Sequence, residues 1–220
     1  MGMTRRPAEL VVRIVLASVA AAALGLAFGR ALVVTSLPLL DFVAAAVWPQ
    51  FVGPIEITGG GGAAELRRAV ASLRSIEVAD PVNVPAMTRL DAARTPLAHA
   101  LVPAVIALTT LVAWPLAGRG DLVRRIVLAG PLLVLVLALT LPFTLMGLVE
   151  IAIAELRAAH GNPAPRAWEI SYLVFLEAGG RWLLPLALAL ACLLPSRRRA
   201  EGSQLGNVGR RSRACRGGDR

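Results

Sequence analysis

The 220-residue chain contains no lysine and only two cysteines, Cys192 and Cys215. Its positive charge is therefore all arginine, 23 residues against 14 acids, for a net charge of +9. Cys192 lies in an apolar stretch and Cys215 in a polar tail, so they occupy different environments and imply no disulfide framework. A reactive thiol needs a basic, partly exposed setting. Cys192 has only leucine and alanine beside it, and the arginines near Cys215 belong to a stretch with the composition of disorder. The short motifs of common chemistries are missing too. Gly59–Gly62 is not followed by Gly-Lys-Ser/Thr, which removes a phosphate loop. No HExxH, GxSxG, Walker or paired-aspartate pattern falls in an apolar stretch. Intramembrane proteolysis and pumping are left without their usual residues.

Apolar sequence is what the chain has in quantity. It is 56% hydrophobic with a mean hydropathy of +0.68, where a soluble domain has roughly 45–50% apolar residues. The basic charge would suggest nucleic acid in a soluble protein. Here the arginines flank apolar stretches, which points to membrane orientation, with the lipid bilayer as partner and not nucleic acid.

The order of segments predicts an all-α integral membrane protein with about four transmembrane helices, an interfacial helix and a small strand-containing extracytoplasmic segment. Residues 1–9 form a basic cytoplasmic start. Residues 10–29 make an uncleaved first span whose Arg13 snorkels to the interface. Residues 30–50 carry Arg30, Pro38 and Asp41 and end on Trp48-Pro49, which reads as an interfacial or re-entrant helix, with a full crossing as the alternative. Residues 51–96 are the extracytoplasmic segment: a strand at Val52–Thr58, a flexible glycine turn, a helix over Ala63–Ile76, and a strand over Ile76–Val84. About 40 residues bury little core alone, so this segment rests on the membrane, on the protein's own helices or on a partner. A second span follows at 97–117, a short loop at 118–125, and a third span at 126–149. There Thr140 and Thr144 flank Pro142 and can satisfy carbonyls that it frees. An outer loop at 150–171, a fourth span at 172–194 and a basic disordered tail at 195–220 complete the chain.

Arginine density sets the direction. Arg119, Arg124 and Arg125 crowd one short loop, and Arg197–Arg199 follow the last span directly, whereas six arginines are spread over the long segment Arg30–Thr95. Short flanking loops are where positive charge marks the cytoplasmic side. A crossing by residues 31–48 would turn the 118–125 loop outward, so four spans with both termini cytoplasmic fit better. The expected location is a cytoplasmic membrane, which the family resemblance given below implies to be a bacterial inner membrane.

The main candidate site is Glu177 and Arg181, four residues apart and so on one helical face inside the fourth span. Charges at that depth mark packing pairs, partner or substrate contacts, or proton paths. A break at Gly179-Gly180 is a further possibility. Weaker candidates are His99, at the entrance of the second span, and Glu150 and Glu155, at the outer end of the third. His160 and Glu169 follow nearby, but the spacing matches no metal motif. No catalytic residue, metal or cofactor is expected.

One layout resembles a known family. A first span and a helix closing on Trp48-Pro49 precede a small strand-bearing segment. Asn83-Val84-Pro85 then leads into TPLAHALVPA (Thr95–Ala104), an arginine-flanked inner loop and two further spans. Over about Ala8–Pro195 this is similar to the small membrane proteins associated with exosortases, in particular the exosortase H-associated type. Exosortases are bacterial transpeptidase-like membrane enzymes that process proteins bearing a C-terminal sorting signal, using a membrane-region cysteine with arginines and a histidine or arginine. Cys192 lacks those surroundings, so the resemblance implies an accessory of an exosortase-like enzyme and transfers no site residue. The alternatives are a transporter subunit or membrane enzyme using Glu177 and Arg181, or a lipid or small-molecule binder between proline-kinked helices.

Overall fold

The computed structural model describes residues 7–59, 64–79, 82–115, 118–162 and 167–193. The basic start, the glycines at 60–62, the Pro-Ala-Pro-Arg stretch at 163–166, and the tail with Arg197–Arg199 and Cys215 lie outside the described residues.

A single helix, α1 (Pro7–Val47, 41 residues), takes up the first apolar stretch and the one after it. At 1.5 Å per residue it is about 60 Å long, twice the roughly 30 Å hydrocarbon core of a bilayer. The separate interfacial helix expected at 30–50 is the second half of α1, with no break at Arg30 or Pro38. The energetics explain this. A proline inside a helix costs about 3 kcal/mol, but Val33, Leu40, Ala44 and Trp48 are buried on one face across it. Each larger one contributes about 1.5–3 kcal/mol. Arg30 and Pro38 lie on the exposed side.

Three further helices follow: α2 (Leu97–Ala113), α3 (Arg119–Ala159, 41 residues) and α4 (Trp168–Phe175). From α4 the chain passes through a π-helical turn, Leu176–Gly180, and continues as helix to Leu193. The whole stretch Trp168–Leu193 is called the last helix below. It, α1 and α3 are long and apolar enough to cross a membrane, whereas α2 is apolar but has 17 residues. The loop expected at 118–125 is largely the start of α3, which places Arg124 and Arg125 on helix. In sequence order the helices are packed neighbours, and α1 also meets α3.

Among the described residues, six strands lie between α1 and α2. Strands β1 (Phe51–Val52), β2 (Ile55–Thr58), β3 (Glu65–Ser72) and β6 (Arg89–Pro96) form one antiparallel sheet. β3 is central, paired with β1 and β2 along one edge and β6 along the other. Strands β4 (Ile76–Ala79) and β5 (Val82–Val84) form a separate hairpin. The helix expected over Ala63–Ile76 is therefore wrong: its core is strand β3. Leu66 and Val70 are four apart and suit either periodicity. The deciding positions are Arg68 and Ser72, which are buried with them in strict alternation.

The chain between β1 and β2 passes through Gly53 at φ 142, where an added Cβ would lie 2.0 Å from the Ala69 carbonyl oxygen. Glycine is required there by both backbone conformation and close approach. The inner face of the sheet (Phe51, Ile55, Leu66, Val70, Ala93) packs on Leu40 and Ala44 of α1, on Trp48 just after it, and on Leu141, Leu145, Met146, Val149 and Ile153 of α3. The strands thus rest on the protein's own helices. A second apolar cluster, with Ala107, Leu111, Leu132, Val136, Ala189 and Leu193, joins α2, α3 and the last helix further from the sheet.

Candidate functional site

Arg181 begins the helical turn after the π-helical segment, in which Gly179 takes φ 132. The expected break at Gly179-Gly180 is present as a kink: Gly179 leaves helical dihedrals (ψ −8), and the helix resumes at Arg181. Turns of this kind interrupt helices frequently at functional sites. Across it Arg181 Nη2 donates to Glu177 Oε1 at 2.5 Å. Its Nη1 contacts Nε2 of His99 on α2. A guanidinium only donates, so the ring nitrogen is the accepting side of this contact. The arginine is 7% exposed. The Glu177 side chain is 55% exposed, and His99 is exposed as well. One buried cation is thus clamped between two surface acceptors on different helices. Behind it lies a void of about 10 Å³ bounded by Thr95, Thr140, Thr144 and Pro103.

The two threonines do not act as expected. Thr140 donates to the Val136 carbonyl and Thr144 to the Thr140 carbonyl, whereas the carbonyl that Pro142 frees is that of Ala138, four residues back.

Compared with known protein families, characterised proteins and solved structures, the chain matches none. Its chemistry has to be read from its own side chains.

A second polar site joins α1, α3 and the last helix at the sheet end. Trp48 Nε1 donates to Glu169 Oε1 at 3.0 Å, and both residues are buried. Trp48 stacks on Trp168 with ring centroids 6.0 Å apart, and Phe143 meets each edge-on. Glu150, on α3 beyond the span expected at 126–149, faces this site. Burial first and the neighbouring Glu169 carboxylate second raise its pKa above the ordinary value, against the opposing charge of Arg157. Glu155 and His160 are exposed and do not join it. Among the described residues, no three histidine, cysteine, aspartate or glutamate side chains gather in a metal-binding group.

Two polar anchors were not foreseen as such. Asp41 Oδ1 accepts the Ile55 backbone N–H at 2.9 Å, tying α1 to β2. Beside it Arg68 is 2% exposed, donates from Nε to the Gly53 carbonyl at 3.3 Å, and has an Nη1 without a hydrogen-bond partner. Desolvation lowers its pKa, partly offset by Asp41. At the other end, Arg125 donates to the carbonyls of Leu111, Trp114 and Pro115 and to Asp121. A cation placed there satisfies the orphan carbonyls that end α2 and complements its dipole. Arg124 likewise donates to the Cys192 carbonyl near the end of the last helix. These two arginines therefore bind helix ends together, a role that charge counting along the sequence does not reveal.

Proposed function

We propose that this protein is a non-enzymatic accessory of a bacterial inner membrane, one that holds a membrane-bound protein-processing enzyme or its substrate at the outer face. In this reading α1, α2, α3 and the last helix make four spans with both termini in the cytoplasm. The 60 Å helices α1 and α3 carry the sheet beyond the bilayer. The observation that carries the proposal is the clamp on the last helix. Arg181 is buried between two acceptors, while Glu177 keeps a half-exposed carboxylate at a depth where lipid offers no compensation. A carboxylate left open toward the membrane suits a contact with another protein. The exosortase-like layout names the class of partner to try first.

The test is co-expression of the full chain with an exosortase-class enzyme, followed by mild detergent extraction and affinity purification of either protein. Recovery of both together supports the accessory role. Recovery of each alone counts against it.

The π-helical turn that carries the Glu177–Arg181 pair, a feature frequent at functional sites, favours a second reading, a transporter subunit or membrane enzyme working through Glu177 and Arg181. In that case Glu177→Gln abolishes activity at unchanged abundance, whereas in the accessory reading it weakens co-purification.

A further inference from the structure

A cleft of about 490 Å³ opens between α1 and α2 at the end of the bundle away from the sheet. Its lining is ordered along the helix axes. Arg13 and Trp114 stand at its outer end, with Leu16, Ala17, Val112 and Ala113 inward of them. Ala17 and Ala113 are buried and form the floor, whereas Leu16 and Val112 are exposed at the rims. α2 has 17 residues, about 25 Å of helix. With its sheet end at one face of a hydrocarbon core about 30 Å thick, Trp114 reaches the headgroups of the other face, the level that tryptophan favours. Arg13 lies across the cleft from it.

The arginines at this end are not equivalent. Arg125 spends its hydrogens on the carbonyls that end α2 and on Asp121, and Arg124 donates to the Cys192 carbonyl. Arg13 is exposed and, among the described residues, has no hydrogen bond or ion pair. The cleft thus presents an uncommitted cation at headgroup depth above an apolar slot.

We infer that this cleft binds one anionic phospholipid of the cytoplasmic leaflet, with the phosphate on Arg13 and an acyl chain along Leu16 and Ala17. The inference rests on the four-span reading above and not on the accessory role. Charge, order and depth together select the occupant. A free phosphate meets the charge and leaves the slot empty. An apolar helix fills the slot and leaves Arg13 without an anion. A zwitterionic lipid brings its own cation beside its phosphate and gains less. The cytoplasmic leaflet carries the negative surface charge, and basic pockets between helices on that side suit its anionic headgroups.

The test uses full-length protein in vesicles of equal parts phosphatidylcholine and phosphatidylglycerol. A photoreactive leucine analogue is placed at Leu16, or at Val19 as a control; both positions are exposed, and Val19 does not line the cleft. Mass spectrometry of the adducts gives the ratio of the two lipids at each position. At Leu16 phosphatidylglycerol should be favoured about fivefold, the weight of one arginine near an anionic surface, and at Val19 the ratio should be near one. Arg13→Gln should bring Leu16 down to the Val19 ratio, and Arg13→Lys should keep most of the preference. Because Arg13 is exposed, neither variant disturbs packing. Equal ratios at the two positions, or a preference that survives Arg13→Gln, overturn the proposal. So does a preference erased by soluble glycerol phosphate, which would mark a bare anion site, or a Leu16 adduct to a second copy of the chain in place of lipid. Reporter fusions showing the opposite orientation would refute the four-span reading without changing these ratios, and would move the lipid to the other leaflet.

Discussion

Replacing Arg181 with alanine removes the donor to His99 and the donor to Glu177 in one step. The arginine is 7% exposed, so its hydrogen bonds form in a largely water-free site. One goes to a ring nitrogen and the other to a carboxylate. Such bonds are worth about 1 kcal/mol and about 1.5–3 kcal/mol respectively. In micelles the abandoned Glu177 carboxylate, 55% exposed, adds little where water and headgroups reach it, although lipid at the same depth would not compensate it. The expected loss for Arg181→Ala is therefore about 2–4 kcal/mol. Glu177→Gln keeps an acceptor oxygen opposite the guanidinium and should cost about 1 kcal/mol or less. Reversible unfolding of the purified protein in mixed dodecyl maltoside and dodecyl sulfate micelles, followed by far-ultraviolet circular dichroism, measures both variants and their double mutant. The double variant should cost less than the sum of the singles, since the two residues share one interaction. An Arg181→Ala protein as stable as the parent, or a Glu177→Gln protein as damaged as Arg181→Ala, would refute the reasoning.

Three other perturbations address the rest of the frame. Arg125→Ala leaves three carbonyls and Asp121 without their donor at a buried position. It should cost about 3–5 kcal/mol, with faster hydrogen exchange at the end of α2 showing where. Gly53→Ala forces a Cβ into the Ala69 carbonyl at positive φ and should cost about 2–3 kcal/mol, read as protease sensitivity between β1 and β3. Glu150 has its pKa raised in the fold, so the folded state holds its proton more tightly than the unfolded one. Its penalty is absent below the unfolded carboxylate pKa of about 4.3 and grows as pH rises toward the folded value. Glu150→Gln should therefore be more stable than the parent at pH 7 and show no gain near pH 4 in thermal melts. A gain of equal size at both pH values would mean that charge is not the cause.

Local signals in the chain reached some of this architecture and missed the rest for identifiable reasons. The apolar helices and the strand-bearing insert follow from hydropathy and turn residues, and the Glu177–Arg181 contact follows from four-residue spacing. The length of α1 did not, because Arg30 and Pro38 look like breaks until Val33, Leu40, Ala44 and Trp48 are seen buried along one continuous face. Strand β3 was hidden by Leu66 and Val70, whose spacing serves both periods. The alternating burial of Arg68 and Ser72 with them, and pairing with β1, β2 and β6, decide it. The bonds Arg181 to His99 and Trp48 to Glu169 join residues 82 and 121 positions apart, beyond any local pattern. Arg125 was read as loop charge because an arginine that caps a neighbouring helix looks, in sequence, like one that marks a membrane face.

Orientation underlies every functional statement, since Glu177 can meet a partner in the outer leaflet only if the sheet lies outside and Arg125 inside. A reporter enzyme active only outside the cytoplasmic membrane, fused after Asp80 in one protein and after Gly120 in another, measures this directly. The account predicts activity after Asp80 and silence after Gly120. Silence after Asp80 with activity after Gly120 would contradict it.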